Sequence, residues 1–308
     1  MHKNNIDDNE NFYTDEIDLF LIFKALWRKK IYVILITTFF MTISLIYAFT
    51  LPNKYQSSVL IYPADKSNMN SALSRYGNLA SMAGISIPSE TNEASIAMEI
   101  VKSRLFIENF INKRNILLPL MAAESWDINS DSLIFNNTIY DTGENKWIRK
   151  GKTTKPSMQE AYETWMSDVF SYQEDKKTGF VKLTIEHLSP SISQKWASWL
   201  IVDLNNHIRN LDIDEAELSI KFLEAEVEKT NSEELKSLFY ALIKSETEKK
   251  MLAYSRPDYV FRVIDPPVIS ESKSSPSRKL ILVFGLFFGL FVGIIYVLVQ
   301  SFIIKKYH

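Results

Sequence analysis

The sequence predicts an α+β membrane protein. Two transmembrane helices are expected to flank a domain with a small membrane-proximal β-sheet and a long protruding helical hairpin. Three observations carry this. Residues 31–51 and 280–299 hold no charged side chain. Runs rich in β-formers stand at 55–62, 171–187 and 259–264. Between the last two runs lies the longest helical stretch, with no glycine and a proline only at its start.

Each apolar run is about 20 residues long and would span about 30 Å of hydrocarbon as a helix. The first is too long for a cleaved signal peptide, and its leader carries Asp7, Asp8, Glu10, Asp15, Glu16 and Asp18. A retained anchor is the better reading. Residues 15–30 read as a short amphipathic helix leading into it. Lys24, Arg28, Lys29 and Lys30 crowd the N-terminal side, while Lys54 stands nearly alone on the other. By the positive-inside rule the N-terminus is cytoplasmic. Lys305 and Lys306 place the C-terminus there too; Arg278 and Lys279 dissent. The expected organisation is a cytoplasmic segment at 1–30, a span at 31–51, an extracytoplasmic domain at 52–278, a second span at 279–304 and a cytoplasmic tail at 305–308. About 30 residues before the first span leave no room for a kinase or HAMP output domain.

A strand at 55–62 ends at Pro63. Residues 67–89 are small and polar with two glycines and read as a loop. Ile96, Ile100, Val101, Leu105, Ile107, Phe110 and Ile111 predict one helix over 93–113. Residues 126–155 are turn-rich. Pro156 stands where a helix accepts its first residue, and that helix should run to about Phe170. Residues 171–174 and 180–187 read as a hairpin around Asp175–Gly179. Val181, Leu183 and Ile185 alternate with Lys182, Thr184 and Glu186, so one face is wet.

Ser189-Pro190 opens the long helix, which should end near Lys229, about 60 Å away. Thr230-Asn231-Ser232 reads as turn and cap, and a second helix returns over 233–254. The hairpin thus covers about 190–255. In the outgoing helix Leu204, Ile208, Leu211, Leu218, Phe222 and Ala225 follow four-and-three spacing, broken only by Glu215. That predicts a coiled-coil-like seam, expected to join subunits. Glu224, Glu226, Glu228, Glu233 and Glu234 cluster toward the tip and read as a solvated face.

In the second span Gly285, Gly289 and Gly293 recur every four residues, three of only eight glycines in the chain. Such a face lets another helix approach closely. The sequence leaves open whether the partner is a second copy or another protein. Pro266, Pro267 and Pro276 precede the span and stiffen the linker.

Several chemistries are excluded or disfavoured. There is no cysteine, which removes disulfides, thiol nucleophiles and Cys-ligated zinc. A formal net charge of −2 offers no basic field for nucleic acid. His2, His187, His207 and His308 lack metal-ligand spacing. Gly151-Lys152-Thr153 imitates the end of a P-loop, but Lys146 stands where the first glycine is needed. No catalytic, cofactor-binding or metal site is expected, and the protein reads as a non-enzyme.

Two spans, a mixed domain with a helical insertion and a Pro-then-Gly second span resemble the Wzz chain-length-determinant family, the polysaccharide co-polymerases. Local matches run along the chain. Glu16-Ile17-Asp18-Leu19 with Leu26-Trp27 resembles the cytoplasmic lead-in, and Leu79–Ile85 the small-residue loop after the first strand. Asp175–Gly179 resembles the hairpin turn, and Ser189-Pro190 the start of the long helix. Tyr259–Asp265 resembles the last strand, and Gly285–Gly293 the second-span motif. Ser270 departs, standing where relatives often carry a further proline.

The resemblance implies a ring-forming homo-oligomer in the bacterial inner membrane, with a periplasmic main domain and both termini cytoplasmic. It implies a non-catalytic partner of the membrane polymerase that sets glycan length, with lipid-linked glycan as a further ligand. Relatives that pair with or carry a tyrosine kinase handle capsule and exopolysaccharide. The lack of such a kinase and of a tyrosine-rich tail favours the O-antigen branch. The rival reading, a periplasmic adaptor of an exporter, fits less well: adaptors usually have one anchor and glycine-rich lipoyl and barrel domains.

Overall fold

A computed structural model of the chain describes residues 19–64, 93–151 and 153–302. In chain order, helices α1 (Leu19–Arg28) and α2 (Lys30–Thr50) are followed by strand β1 (Tyr55–Pro63). Helices α3 (Glu93–Lys102), α4 (Arg104–Arg114) and α5 (Leu117–Ala122) lead to the hairpin β2 (Ala123–Asp127) and β3 (Ser132–Phe135). A two-residue pair, β4 (Tyr140–Asp141) and β5 (Lys146–Trp147), precedes α6 (Met158–Thr164). A π-helical turn (Trp165–Val169) joins α6 to β6 (Phe170–Glu174) and β7 (Val181–His187). Then come the long helix α7 (Pro190–Lys229), its return α8 (Glu233–Ser255), β8 (Phe261–Asp265) and α9 (Arg278–Phe302).

The predicted fold class holds. Helices and strands mix, and α2 and α9 are each long and apolar enough to cross a membrane. The described residues up to Leu51, with those from Pro276 onward, form one compact unit; Pro52–Ser275 form the other.

In the Pro52–Ser275 unit the main sheet runs β6-β7-β1-β8, antiparallel throughout. Strand alternation decides its faces. Val59 and Ile61 of β1 and Val181, Leu183 and Ile185 of β7 are buried, while Lys182 is exposed. The first half of α7 packs across β1 and β7. It joins α3 and α4 in a core that includes Phe110, Trp165, Trp196 and Leu200. Phe110 and Trp165 meet at 5.3 Å between ring centroids, and Trp165 and Trp196 at 5.6 Å.

Two polar devices inside this core escaped the sequence reading. Asn205 is buried on α7 and spends its whole amide on the start of β8. Its Nδ2 donates to the Phe261 carbonyl, and its Oδ1 accepts from the amides of Val260 and Phe261. Asp203 accepts two bonds from Arg114, at 2.8 and 2.9 Å, and one from Lys113 at 2.7 Å. Burial works to raise its pKa, but these cations outweigh it and hold the carboxyl below its usual range. Both residues could have been noticed as polar intrusions on the apolar face of a helix, yet their partners lie dozens of residues away.

Local chemistry corrects two boundaries. The single helix expected over 93–113 is two, because Ser103 adopts an extended ψ of 143° and caps α4, accepting from the Phe106 amide. Pro156 is not the first helical residue. Ser157 is the N-cap, accepting from Glu160, so the proline precedes the cap. The hairpin turn at Asp175–Gly179 forms as read, with Gly179 at φ 75° and Asp175 bonding Lys177 and Thr178. Ser189 caps α7, and Thr230 and Ser232 bound the hairpin tip. The expected loop at 67–89, including Leu79–Ile85, lies outside the described residues. So do Glu16–Asp18, the tail lysines, Lys152 and the terminal histidines.

Candidate functional site

The structure offers no candidate catalytic centre among the described residues. Two helical contact faces and one linker carry the predicted functional positions instead, and each is resolved differently.

The glycine face packs on the chain's own first span. A β-carbon placed on Gly289 would lie 2.9 Å from Thr37 Cα and 3.0 Å from Phe40 Cβ. One on Gly293 would lie 3.2 Å from Val33 Cα, and one on Gly285 would collide with the Ser44 hydroxyl. As the index rises along α9 it falls along α2, so the pair is antiparallel. Ser44 donates to the Ile281 carbonyl at 3.3 Å, and Phe40 meets Phe288 edge to face at 5.2 Å. In the structure these glycines seat α2 against α9 within one chain, a contact the sequence reading did not name. Large residues such as Phe39, Phe284, Phe287 and Phe291 point outward, exposed. Arg278, which dissented from the charge rule, donates to the Ala48 carbonyl near the end of α2 at 3.2 Å and stacks over Phe49. A cation there complements a helix C-terminus.

The seam divides. Leu204 is 0% exposed within the core, and Ile208 packs against that core. Leu204 therefore offers no surface to another subunit, which corrects the sequence reading at that position, while Ile208 stays half-buried. Beyond them the stripe emerges: Leu211 is 47%, Leu218 70% and Phe222 64% exposed. A second stripe, displaced around the helix, faces α8. Ile213 and Ala216 are buried and Ile220, Leu223 and Val227 half-buried, again at three-and-four spacing. The sequence contains both registers, and the outer one had been read. The β-branched content of the inner one was the available signal. On α8, Phe239, Ile243, Leu252 and Ala253 are half-buried or buried. Cross-links Lys249–Glu215 at 3.1 Å and Lys250–Glu217 at 2.7 Å tie the pair together. Outward on α8, Leu238, Tyr240, Leu242, Met251 and Tyr254 remain exposed. At the tip Glu226 and Glu233 pair locally with Lys229 and Lys236.

Hydrogen bonds the sequence did not reveal hold parts of the linker. Pro267 accepts from Gln194 at 3.2 Å, and Val268 accepts from Ser57 at 2.7 Å. Lys54 and Ser275 form an antiparallel bridge. Pro266 is exposed, while Pro276 is half-buried and accepts from the Arg278 amide. Ser270, the departure from the family pattern, donates to the Ser272 carbonyl.

His187 is buried between the sheet and Trp196, with ring centroids 4.7 Å apart. The Ser189 amide donates to Nδ1, so Nε2 bears the proton and faces the Pro119 carbonyl at 3.2 Å. Burial lowers its pKa to about 4. Its role is structural, since its partners are backbone groups of the fold.

Residues 15–114, from the lead-in through α4, match Wzz, chain length determinant protein. Over that stretch the chain is similar to the chain-length-determinant family. Its C-terminal portion, residues 230–302, matches GNVR, described as a G-rich domain on putative tyrosine kinase. The Wzz and GNVR regions thus contain α2 and all of α9. No curated protein matches the chain. Among solved structures it is similar to a full-length bacterial polysaccharide co-polymerase at 13% identity and a TM-score of 0.38, covering 96% of this chain and 99% of that one. It is also similar to a fragment of WzzB, a polysaccharide co-polymerase from Salmonella Typhimurium, at 12% identity and a TM-score of 0.30, covering 72% and 100%.

Proposed function

We propose that this protein is a non-enzymatic regulator of surface polysaccharide length, O-antigen in the first instance, and that it acts as an oligomeric scaffold beside the membrane polymerase. The observation that carries the reading is the Wzz match over residues 15–114, seconded by the GNVR match at the other end. The exposed stripe Leu211, Leu218 and Phe222 supports an assembly through the hairpins, because an apolar row along a water-facing helix wants cover. In this reading residues 52–278 lie in the periplasm, both termini are cytoplasmic, and the linker of Pro266, Pro267 and Pro276 sets how the domain meets the membrane.

Deletion of the gene tests the reading. Polymer should persist while its preferred length disappears, because the polymerase still elongates and termination becomes random. A gel of the lipopolysaccharide should then show smoothly decaying lengths. Loss of all polymer, with the polymerase still present, would transfer the protein to a synthetic or export role. Orientation is tested separately, since a chain without cysteine accepts single cysteines cleanly. Asn145→Cys should react with an impermeant thiol reagent in spheroplasts, and Asn5→Cys should not.

A further inference from the structure

Beside the β2–β3 turn lies a hollow of about 360 Å3 within the Pro52–Ser275 unit. It is built from four separate segments. Tyr55 comes from the start of β1, Trp126 and Asp131 from the β2–β3 hairpin, Ser191 from the first turn of α7, and Ile269 and Glu271 from the linker. Its volume is in the range of small-ligand sites.

The aromatic wall is set in advance. Tyr55 and Trp126 meet edge to face, 5.4 Å between centroids at 73°. The indole is held from behind, because Trp126 Nε1 donates to Asp131 Oδ1 at 2.9 Å. Ser191 Oγ approaches both oxygens of the same carboxylate, at 2.6 and 2.8 Å. Asp131 sits at φ 45°, a left-handed conformation uncommon for a residue with a side chain. The hydrogen bonds from Ser191, then Trp126, hold its carboxyl below the usual range, with Lys195 adding a smaller pull. Asp131 is therefore an anion at neutral pH and keeps acceptor capacity beyond the donors it already has. Glu271 places a second carboxylate at the hollow.

These features select a ligand class. An anionic group would face two carboxylates and be repelled. A wholly apolar ligand would dehydrate both carboxylates at a cost and bring no donor in return. A ligand that fits brings a flat C–H face for the rings and hydroxyl or ammonium donors for the acceptors. A pyranose ring has both. We infer that this hollow binds a neutral or amino-sugar ring of a glycan, with Trp126 and Tyr55 against its C–H face and Asp131 and Glu271 accepting from its hydroxyls. The identity of that glycan rests on the chain-length reading; the chemistry of the hollow does not.

The test offers the full-length protein in detergent the glycan released by mild acid from the surface polysaccharide of cells that carry the gene. Saturation transfer from aromatic protons to sugar ring protons is expected. Trp126→Leu should weaken binding about tenfold or more. Glu271→Gln, at an exposed linker position, should weaken it about threefold or more and serves as the variant that leaves the fold undisturbed. Circular dichroism of both variants should match the parent. No binding by the parent, or equal binding by both variants, would overturn the inference. Equal binding of a polyanion such as heparin would overturn the ligand class. A photo-crosslinker at Ile128 that captures a protein instead of glycan would reassign the hollow to a protein contact. If deletion of the gene abolishes the preferred length while no sugar binds, the regulator reading stands and this site falls. If sugar binds while the preferred length survives deletion, the site stands and the regulator reading falls.

Discussion

The α2–α9 pair and the α7–α8 pair both run antiparallel, and they make opposite choices about what to hide. In the first, small residues lie inside: Gly285, Gly289 and Gly293 meet Ser44, Thr37 and Val33, and the phenylalanines face out. In the second, Ile213, Ala216 and Ala253 lie inside, cross-linked by Lys249 and Lys250 to glutamates of α7, yet Leu218, Phe222, Tyr240 and Met251 still face out. Outward phenylalanines need no explanation in lipid, where apolar surface carries no penalty and close backbone approach drives pairing. Outward leucines on a helix carrying Glu215, Glu217 and Glu224 do need one, since that helix faces water. The difference teaches that one pair is complete within the chain, while the other leaves a face that a second copy can fill.

The most severe way to break this comparison is Gly289→Leu. A single β-carbon already falls within 3.0 Å of Thr37 and Phe40, so a leucine forces α2 and α9 apart. Cysteines placed at Phe40 and Phe288 should crosslink readily in the parent background and lose that crosslink in the variant. Retained crosslinking would show that the glycines are incidental. Next comes Leu204→Ala, which opens a cavity in the core and should cost about 2–5 kcal/mol of stability, read as a lowered thermal midpoint.

The contrast between Leu204 and Leu218 also marks how far the sequence could be read. Spans, hairpin turn, the caps at Ser189 and Ser232 and strand alternation were legible, because each follows from neighbours within a few residues: Ser189 caps, Gly179 turns, Val181 alternates with Lys182. The split of the seam was not legible. Leu204 and Leu218 are the same residue type on the same stripe, and only the sheet beneath the first half of α7 separates them. Two interleaved apolar registers on α7 looked alike without knowledge of where α8 returns. The aromatic hollow was hidden for the same reason, as Tyr55, Trp126, Ser191 and Glu271 converge from four distant segments.

A smaller effect sharpens the core side of the comparison. His187 has a folded pKa of about 4 against an ordinary 6.5, so the neutral form belongs to the fold and the unfolded chain takes up the proton first. Its contribution is fully present above pH 6.5, declines as pH falls toward about 4 and is flat below. The thermal midpoint should drop across that window, by the equivalent of about 3 kcal/mol. His187→Gln should flatten the drop; an unchanged slope would place the titration elsewhere. Smallest in stability is Leu218→Ala, expected within about 0.5 kcal/mol because the side chain is largely exposed in the single chain. Its effect should appear in assembly size in mild detergent.

The most direct measurement joins assembly to glycan length. The double substitution Leu218→Glu and Phe222→Glu places two charges on the outer face of α7 and leaves Ile213, Ala216 and the α8 contacts in place. Complexes are sized by native mass spectrometry, and lipopolysaccharide from the same cells is resolved on a gel. The expected result is a smaller assembly together with a broadened or shifted length cluster, total polymer being unchanged. A dissociated assembly with an unaltered length cluster would contradict the claim that this hairpin face organises the regulator.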